Sequence, residues 1–185
     1  MAGGAARGTP QRQAHPLSAR FPVKLLPRAL LDELAAAAAA SARGRAHHNI
    51  HRSAADLVQR FIVVAQRDSY FRPHRHVART ELALVLRGKV EVVTFDESGR
   101  VSARHEVGEG TANMAYETPP ATWHTLIPAV NGTAFLEIKQ GPYDPATTSE
   151  FATWAPAEGT PSVAHFQQWL RSARAGEAPP RAEPA

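Results

Sequence analysis

The 185-residue chain has no cysteine. Disulfides, thiolate-ligated zinc knuckles and thiol nucleophiles are therefore excluded. It has no apolar run of about 18 residues, so no membrane-spanning helix is expected. Charge of one sign is not in strong excess: 21 basic residues stand against 17 acidic ones, a formal net charge of +4. The positive charges are spread, and no basic stripe interleaved with aromatics appears, so no nucleic-acid partner is expected. The N-terminal stretch is basic but lacks the apolar segment of a secretory signal. A soluble, cytoplasmic chain without a membrane partner is the expectation. No internal repeat is visible. In place of these features the sequence carries 15 prolines, 12 glycines and nine histidines, with 43% hydrophobic residues. That composition suits one turn-rich domain with a single core.

Hydrophobic periodicity divides the chain. Residues 1–22, rich in Gly, Ala, Arg, Gln and Pro, read as a tail. Leu26, Leu30, Leu31, Leu34 and Ala38 recur at spacings of three and four, which predicts a helix over about 27–41. Pro27 suits its first turn, the Ala35–Ala40 run favours it, and Ser41–Gly44 ends it. About eight short strand-like runs follow between Leu57 and Lys139. Gly88-Lys89 and Asn131-Gly132 read as hairpin turns joining neighbouring strands. A mainly β sandwich or barrel is therefore expected over residues 23–158. In the extension 159–185, Val163, Phe166, Trp169 and Leu170 share one face of a short helix from Ser162 to Ala173. The end, from Gly176, reads as disordered.

The most informative run is His74-Arg75-His76-Val77-Ala78-Arg79-Thr80-Glu81, followed by an apolar strand and Gly88. Histidines at i and i+2 of a strand point to the same face. With Glu81 on the next strand they make three sides of a divalent-metal site. Pro119-Pro120-Ala121-Thr122-Trp123-His124 then delivers a third histidine from a proline turn. These spacings resemble the two halves of the cupin metal signature. Two departures occur, Ala121 and Asn113 standing where glycines are usual, and both bear on loop shape rather than on ligand identity.

Further blocks narrow the resemblance. Arg43-Gly44-Arg45-Ala46-His47-His48-Asn49-Ile50-His51, Ser69 to His76, Pro120 to Thr125, Glu137 to Tyr143 and Phe151 to Pro156 together resemble the WbuC-type cupin-fold metalloproteins of bacteria, which are often associated with surface-polysaccharide gene clusters. The likeness covers roughly Leu26 to Glu158. It implies a double-stranded β-helix, or jelly roll, with an N-terminal helix and a short C-terminal helix. It also implies one bound metal, without fixing a reaction.

Three imidazoles and a carboxylate, from His74, His76, His124 and Glu81, suit one divalent transition metal: Fe, Mn, Ni, Cu or Zn. Arg45, His48, Asn49 and His51 are candidate ligand-binding residues, because arginine forks bind carboxylate or phosphate. Tyr70, Arg72 and Lys139 extend that set. Arg72, two residues from His74, is expected to face the same interior, where it needs a carboxylate or an anionic ligand. Lys139 can instead pair with Glu137 on its own strand. His51 is the candidate proton carrier. The expected function is a metal-dependent enzyme acting on a small anionic or sugar-like molecule in surface-polysaccharide metabolism. The competing reading is a non-catalytic metallo-sensor or carbohydrate-binding module. A homodimer is expected, because pairing buries an open sheet edge.

Overall fold

A computed structural model describes residues 23–180; the tail at 1–22 lies outside the described residues. The chain runs α1 (Ala29–Ala40), β1 (Arg45–Asn49), β2 (Val58–Ala65), β3 (His74–Arg75), β4 (Glu81–Arg87), β5 (Lys89–Phe95), β6 (Val101–Gly108), β7 (Ala115–Thr118), β8 (Trp123–Pro128), β9 (Thr133–Gln140), β10 (Glu150–Phe151) and α2 (Ser162–Ser172). The strands form two five-stranded sheets, ordered β1-β2-β9-β4-β7 and β10-β3-β8-β5-β6. Every pairing in them is antiparallel. This is the expected mainly β jelly roll with a helix near each end of the chain. None of the described helices is long and apolar enough to cross a membrane.

Three apolar layers hold it together. Between the sheets lie Val63, Val90, Val92, Val107, Leu126 and Phe135. Outside the first sheet, Leu30, Leu31, Leu34 and Ala35 of α1 cover Ile62, Val64 and Ala134. Outside the second, Phe166 and Leu170 of α2 pack with Val93, Phe95, Trp123 and Ile127. Alternation along each strand sorts the side chains. In β8, Leu126 points inward while Trp123 and Ile127 meet α2.

Two expected hairpins are absent. β4 pairs with β7 and β9, whereas β5 pairs with β6 and β8. Gly88 therefore carries the chain from one sheet to the other, as do Asn131 and Gly132 between β8 and β9. A tight turn reports that the chain reverses, not which sheet receives the next strand. The two crossings are stacked. A Cβ on Gly88 (φ +72°) would stand 2.9 Å from Thr133 Oγ1, and the Ala129 N–H donates to the Lys89 carbonyl at 2.9 Å. A tight hairpin does join β5 to β6 across the Asp96–Gly99 turn, where Asp96 Oδ1 accepts from the Ser98 and Arg100 N–H groups.

Of the end expected to be disordered, residues 181–185 lie outside the described residues, and Gly176 and Glu177 are tied to β6. The Val101 N–H donates to the Glu177 carbonyl at 3.0 Å, and the Gly176 N–H donates to the Val101 carbonyl at 2.8 Å. Two backbone bonds to a strand end outweigh the local Gly and Pro content there.

Candidate metal centre

His74 in β3 and His124 in β8 are direct cross-strand partners. His76 follows β3, and Glu81 opens β4 on the facing sheet. The ring centroids of His74 and His124 are 4.5 Å apart, and those of His74 and His76 5.1 Å. One ligand atom from each of the three histidines lies within 4.8 Å of the others. His76, His124 and Glu81 are buried, while His74 is half-buried and lies on a cavity wall.

Backbone carbonyls fix the tautomers. His74 Nδ1 lies 3.0 Å from the Arg72 carbonyl, His76 Nδ1 2.6 Å from the Thr148 carbonyl, and His124 Nδ1 2.9 Å from the Thr122 carbonyl. A carbonyl only accepts, so each Nδ1 carries the proton and each Nε2 keeps its lone pair. All three lone pairs are thus free for one shared cation, the orienting arrangement typical of metal-ligating histidines. Burial, ahead of repulsion from His124, pushes His74 down to about 3, which keeps its imidazole neutral.

The donor set fits a divalent ion. His124 Nε2 is buried without a hydrogen-bond partner among the described residues. His76 Nε2 lies 3.0 Å from Glu81 Oε2. Lone pair against carboxylate is repulsive unless a cation stands between them. Two ligands at right angles, each about 2.1 Å from one ion, are separated by about 3 Å. Glu81 Oε1 is 3.7 Å from His124 Nε2. Glu81 stands to one side of the trio, and its Oε2 also accepts from Lys139 Nζ at 2.8 Å. Although burial opposes ionisation, the Lys139 ammonium holds the Glu81 carboxyl well below its ordinary value.

The turn before β8 links the ligands. Ala121, where a glycine is usual, takes the left-handed conformation (φ 59°) that a glycine favours. Its N–H donates to the His76 carbonyl at 2.8 Å.

Beside the histidines lies a cavity of about 690 Å³. Of the residues expected to bind a ligand, Arg45, Asn49, His51, Arg72 and Lys139 line it; His48 and Tyr70 do not. On β1, alternation places Arg45, His47 and Asn49 on the cavity side. His48, opposite Ile62, therefore faces the α1 side, and His47 is the histidine that lines the cavity. Tyr70 lies outside any strand, so strand parity with Arg72 does not apply. Its hydroxyl donates to the Pro156 carbonyl at 3.0 Å, and its ring packs on Phe166. His51 uses Nδ1 on the backbone of Arg60.

Lys139 pairs with Glu137 as expected, at 3.6 Å, but its closer partner is Glu81. Burial, then repulsion from Glu81, pushes Glu137 up to about 7. Two contributors were not singled out from sequence. Glu158 accepts from both Arg43 and Arg45. Thr148 orients His76 through its carbonyl, which no side-chain pattern announces.

A family model described as a domain of unknown function, DUF6016, matches residues 26–107. No curated protein matches the chain. Among solved structures the chain is similar to KdgF from Halomonas sp., at 15% identity, covering 55% of this chain and 82% of that one with a TM-score of 0.43. It is similar to the capsular polysaccharide assembling protein CapF from Staphylococcus aureus, at 15% identity, covering 57% and 28% with a TM-score of 0.47. It is similar also to DMSP lyase DddQ from Ruegeria pomeroyi DSS-3, at 17% identity, covering 62% and 54% with a TM-score of 0.46. The matched region spans less than a third of the CapF chains.

Proposed function

We propose that this protein binds one divalent transition metal through His74, His76 and His124, with Glu81 beside them, and acts on a small anionic or sugar-like molecule held in the adjoining cavity. The observation that carries the reading is the three-histidine cluster, with a ligand atom of each within 4.8 Å of the others and each Nδ1 at a backbone carbonyl, which leaves Nε2 for the ion. A divalent ion bound there would polarise oxygen atoms of the ligand. The surface-polysaccharide setting rests on the resemblance to WbuC-type proteins in the blocks around His47 and Gly141.

The chain's own groups divide the work. Cationic side chains on the cavity wall, Arg72 and Lys139 among them, favour an anion. Glu137, titrating near neutrality on the same wall, can give or take a proton, and this favours an enzyme over a passive binder. His51 is the second candidate for that role.

Elemental analysis of untagged protein, wild type beside His74→Ala and His124→Ala, tests the metal reading. The expected result is about one transition metal per wild-type chain and little in either variant. A wild type that takes up no Fe(II), Mn(II), Ni(II) or Zn(II) would sink it.

A further inference from the structure

The cavity wall carries six cationic side chains, Arg43, Arg45, Arg52, Arg72, Arg79 and Lys139, against three carboxylates, Glu81, Glu137 and Glu158. The carboxylates are unevenly shared. Glu158 takes Arg43 Nε at 2.7 Å and also takes Arg45 Nη2. Arg45 is further held by the Tyr70 carbonyl, 2.6 Å from its Nη1, and by the Phe71 ring, 4.6 Å from its Cζ. Lys139 is engaged by Glu81 and Glu137. Arg79 donates to the Gln140 carbonyl from an exposed position. Arg52 is engaged as well.

Arg72, like Arg79, has no carboxylate partner among the described residues, and its one hydrogen bond runs from Nη2 to the Ala152 carbonyl at 2.7 Å. It differs from Arg79 at its Nε. Nε is buried and unpaired, and Nη1 is neither buried nor bonded. Phe151 lies 5.5 Å from its Cζ. The buried, unpaired Nε carries a desolvation cost, and the open Nη1 offers a charged donor to an acceptor that enters with the ligand. The place is specific, because the carbonyl of this same residue orients His74.

We propose that Arg72 is the anion-binding residue of the cavity, and that the ligand is a hydroxy acid, acidic sugars included, whose carboxylate meets Arg72 while its oxygen donors face the three histidines. The second half of this statement rests on the metal reading; the first does not. A single open guanidinium end beside an aromatic ring suits a carboxylate. A phosphate, with a charge near −2, would call for more donors. Arg45, the more conspicuous arginine in sequence, is instead a clamp that joins β1 to Glu158.

Malate and 2-hydroxybutyrate share a 2-hydroxy-acid end, and only malate adds a distal carboxylate. Titration calorimetry with both, on samples whose metal content is measured alongside, isolates that carboxylate. Wild type is expected to bind malate on the order of tenfold more tightly, the worth of one charge-assisted contact. Arg72→Gln should abolish the preference at unchanged metal content, and Arg72→Lys should keep part of it. Arg45→Gln and Glu158→Gln should leave it in place. A preference that survives Arg72→Gln, or vanishes in Arg45→Gln while Arg72→Gln retains it, overturns the assignment, as does a metal-replete wild type that shows none. A metal-free wild type that still prefers malate through Arg72 keeps the assignment and removes the metal reading instead.

Discussion

The same strands build a core at one level of the sandwich and a polar site a few residues away. β8 contributes Leu126 to the apolar layer and His124 to the metal centre. β9 contributes Phe135 to the first, then Glu137 and Lys139 to the second. β5 passes from Val90 and Val92 to Thr94, the cross-strand partner of His124. In the apolar part the interior is filled by interdigitating side chains. In the polar part buried groups are oriented by carbonyls, and His124 Nε2, Tyr116 Oη and Thr118 Oγ1 have no hydrogen-bond partner among the described residues. Stability and chemistry are therefore separated along each strand by a step of two residues, the period of the pleat.

The sharpest way to test that separation is to damage the apolar part alone. Phe135 is 1% exposed and lies against Val63, Val90 and Leu126. Phe135→Ala should lower the unfolding free energy by about 3–5 kcal/mol, the usual loss for a buried phenylalanine, read from denaturant midpoints at constant slope. Metal per folded chain should not change. Loss of metal at temperatures where the variant is still folded would show that the two regions are not independent.

Glu137 is a cost that the polar part imposes, and pH exposes it. Its carboxyl titrates at about 7 in the folded chain, chiefly because it is buried and then because Glu81 is near. In the unfolded chain it returns to the ordinary range near 4.3. Between those values the folded state binds more protons, so stability from this group falls as pH rises and the loss is complete above about 7. Glu81 acts in the opposite sense, and its contribution is lost only as pH falls below the ordinary carboxylate range. Glu137→Gln should therefore gain up to about 3 kcal/mol over wild type at pH 8 and almost nothing at pH 4, measured on chelator-treated protein. An equal gain at both values would mean that Glu137 is not a raised-pKa group.

These regions were unequally legible in the sequence. The histidine cluster was readable because two histidines separated by one residue share a strand face whatever the sheet order. The face of α1 was readable from leucines spaced by three and four, and the face of α2 from Val163, Phe166 and Leu170. What failed depends on non-local partners. Gly88 and Asn131-Gly132 announced reversals, but sheet membership is set by the strands those reversals meet. His48 was preferred to His47 because strand parity on β1 was not enforced, although Arg45 and Asn49 already specified it. Nothing in the local pattern of Tyr70 announces that its hydroxyl is spent on the Pro156 carbonyl, 86 residues away. Arg72 does line the cavity, as its place two residues before His74 suggests. That Glu158 would already occupy Arg45 was not visible, since they stand 113 residues apart.

The smallest effect concerns the turn that joins the ligands. Ala121 holds φ at 59°, which costs an L-residue with a Cβ roughly 1–2 kcal/mol. Glycine would relieve that strain but enter the folded state from a freer unfolded chain, returning about 0.4–1 kcal/mol. Ala121→Gly should therefore raise stability by only about 0.5–1 kcal/mol. The turn's hydrogen bonds use its backbone, not the residue 121 side chain: the residue 121 N–H donates to the His76 carbonyl, and His124 Nδ1–H donates to the Thr122 carbonyl. A change that leaves φ where it is should leave both bonds, and so metal affinity, within a few-fold of wild type. A large drop in affinity would mean that the alanine methyl itself stiffens the turn, and that strain at position 121 is used to hold His76 and His124 at their spacing.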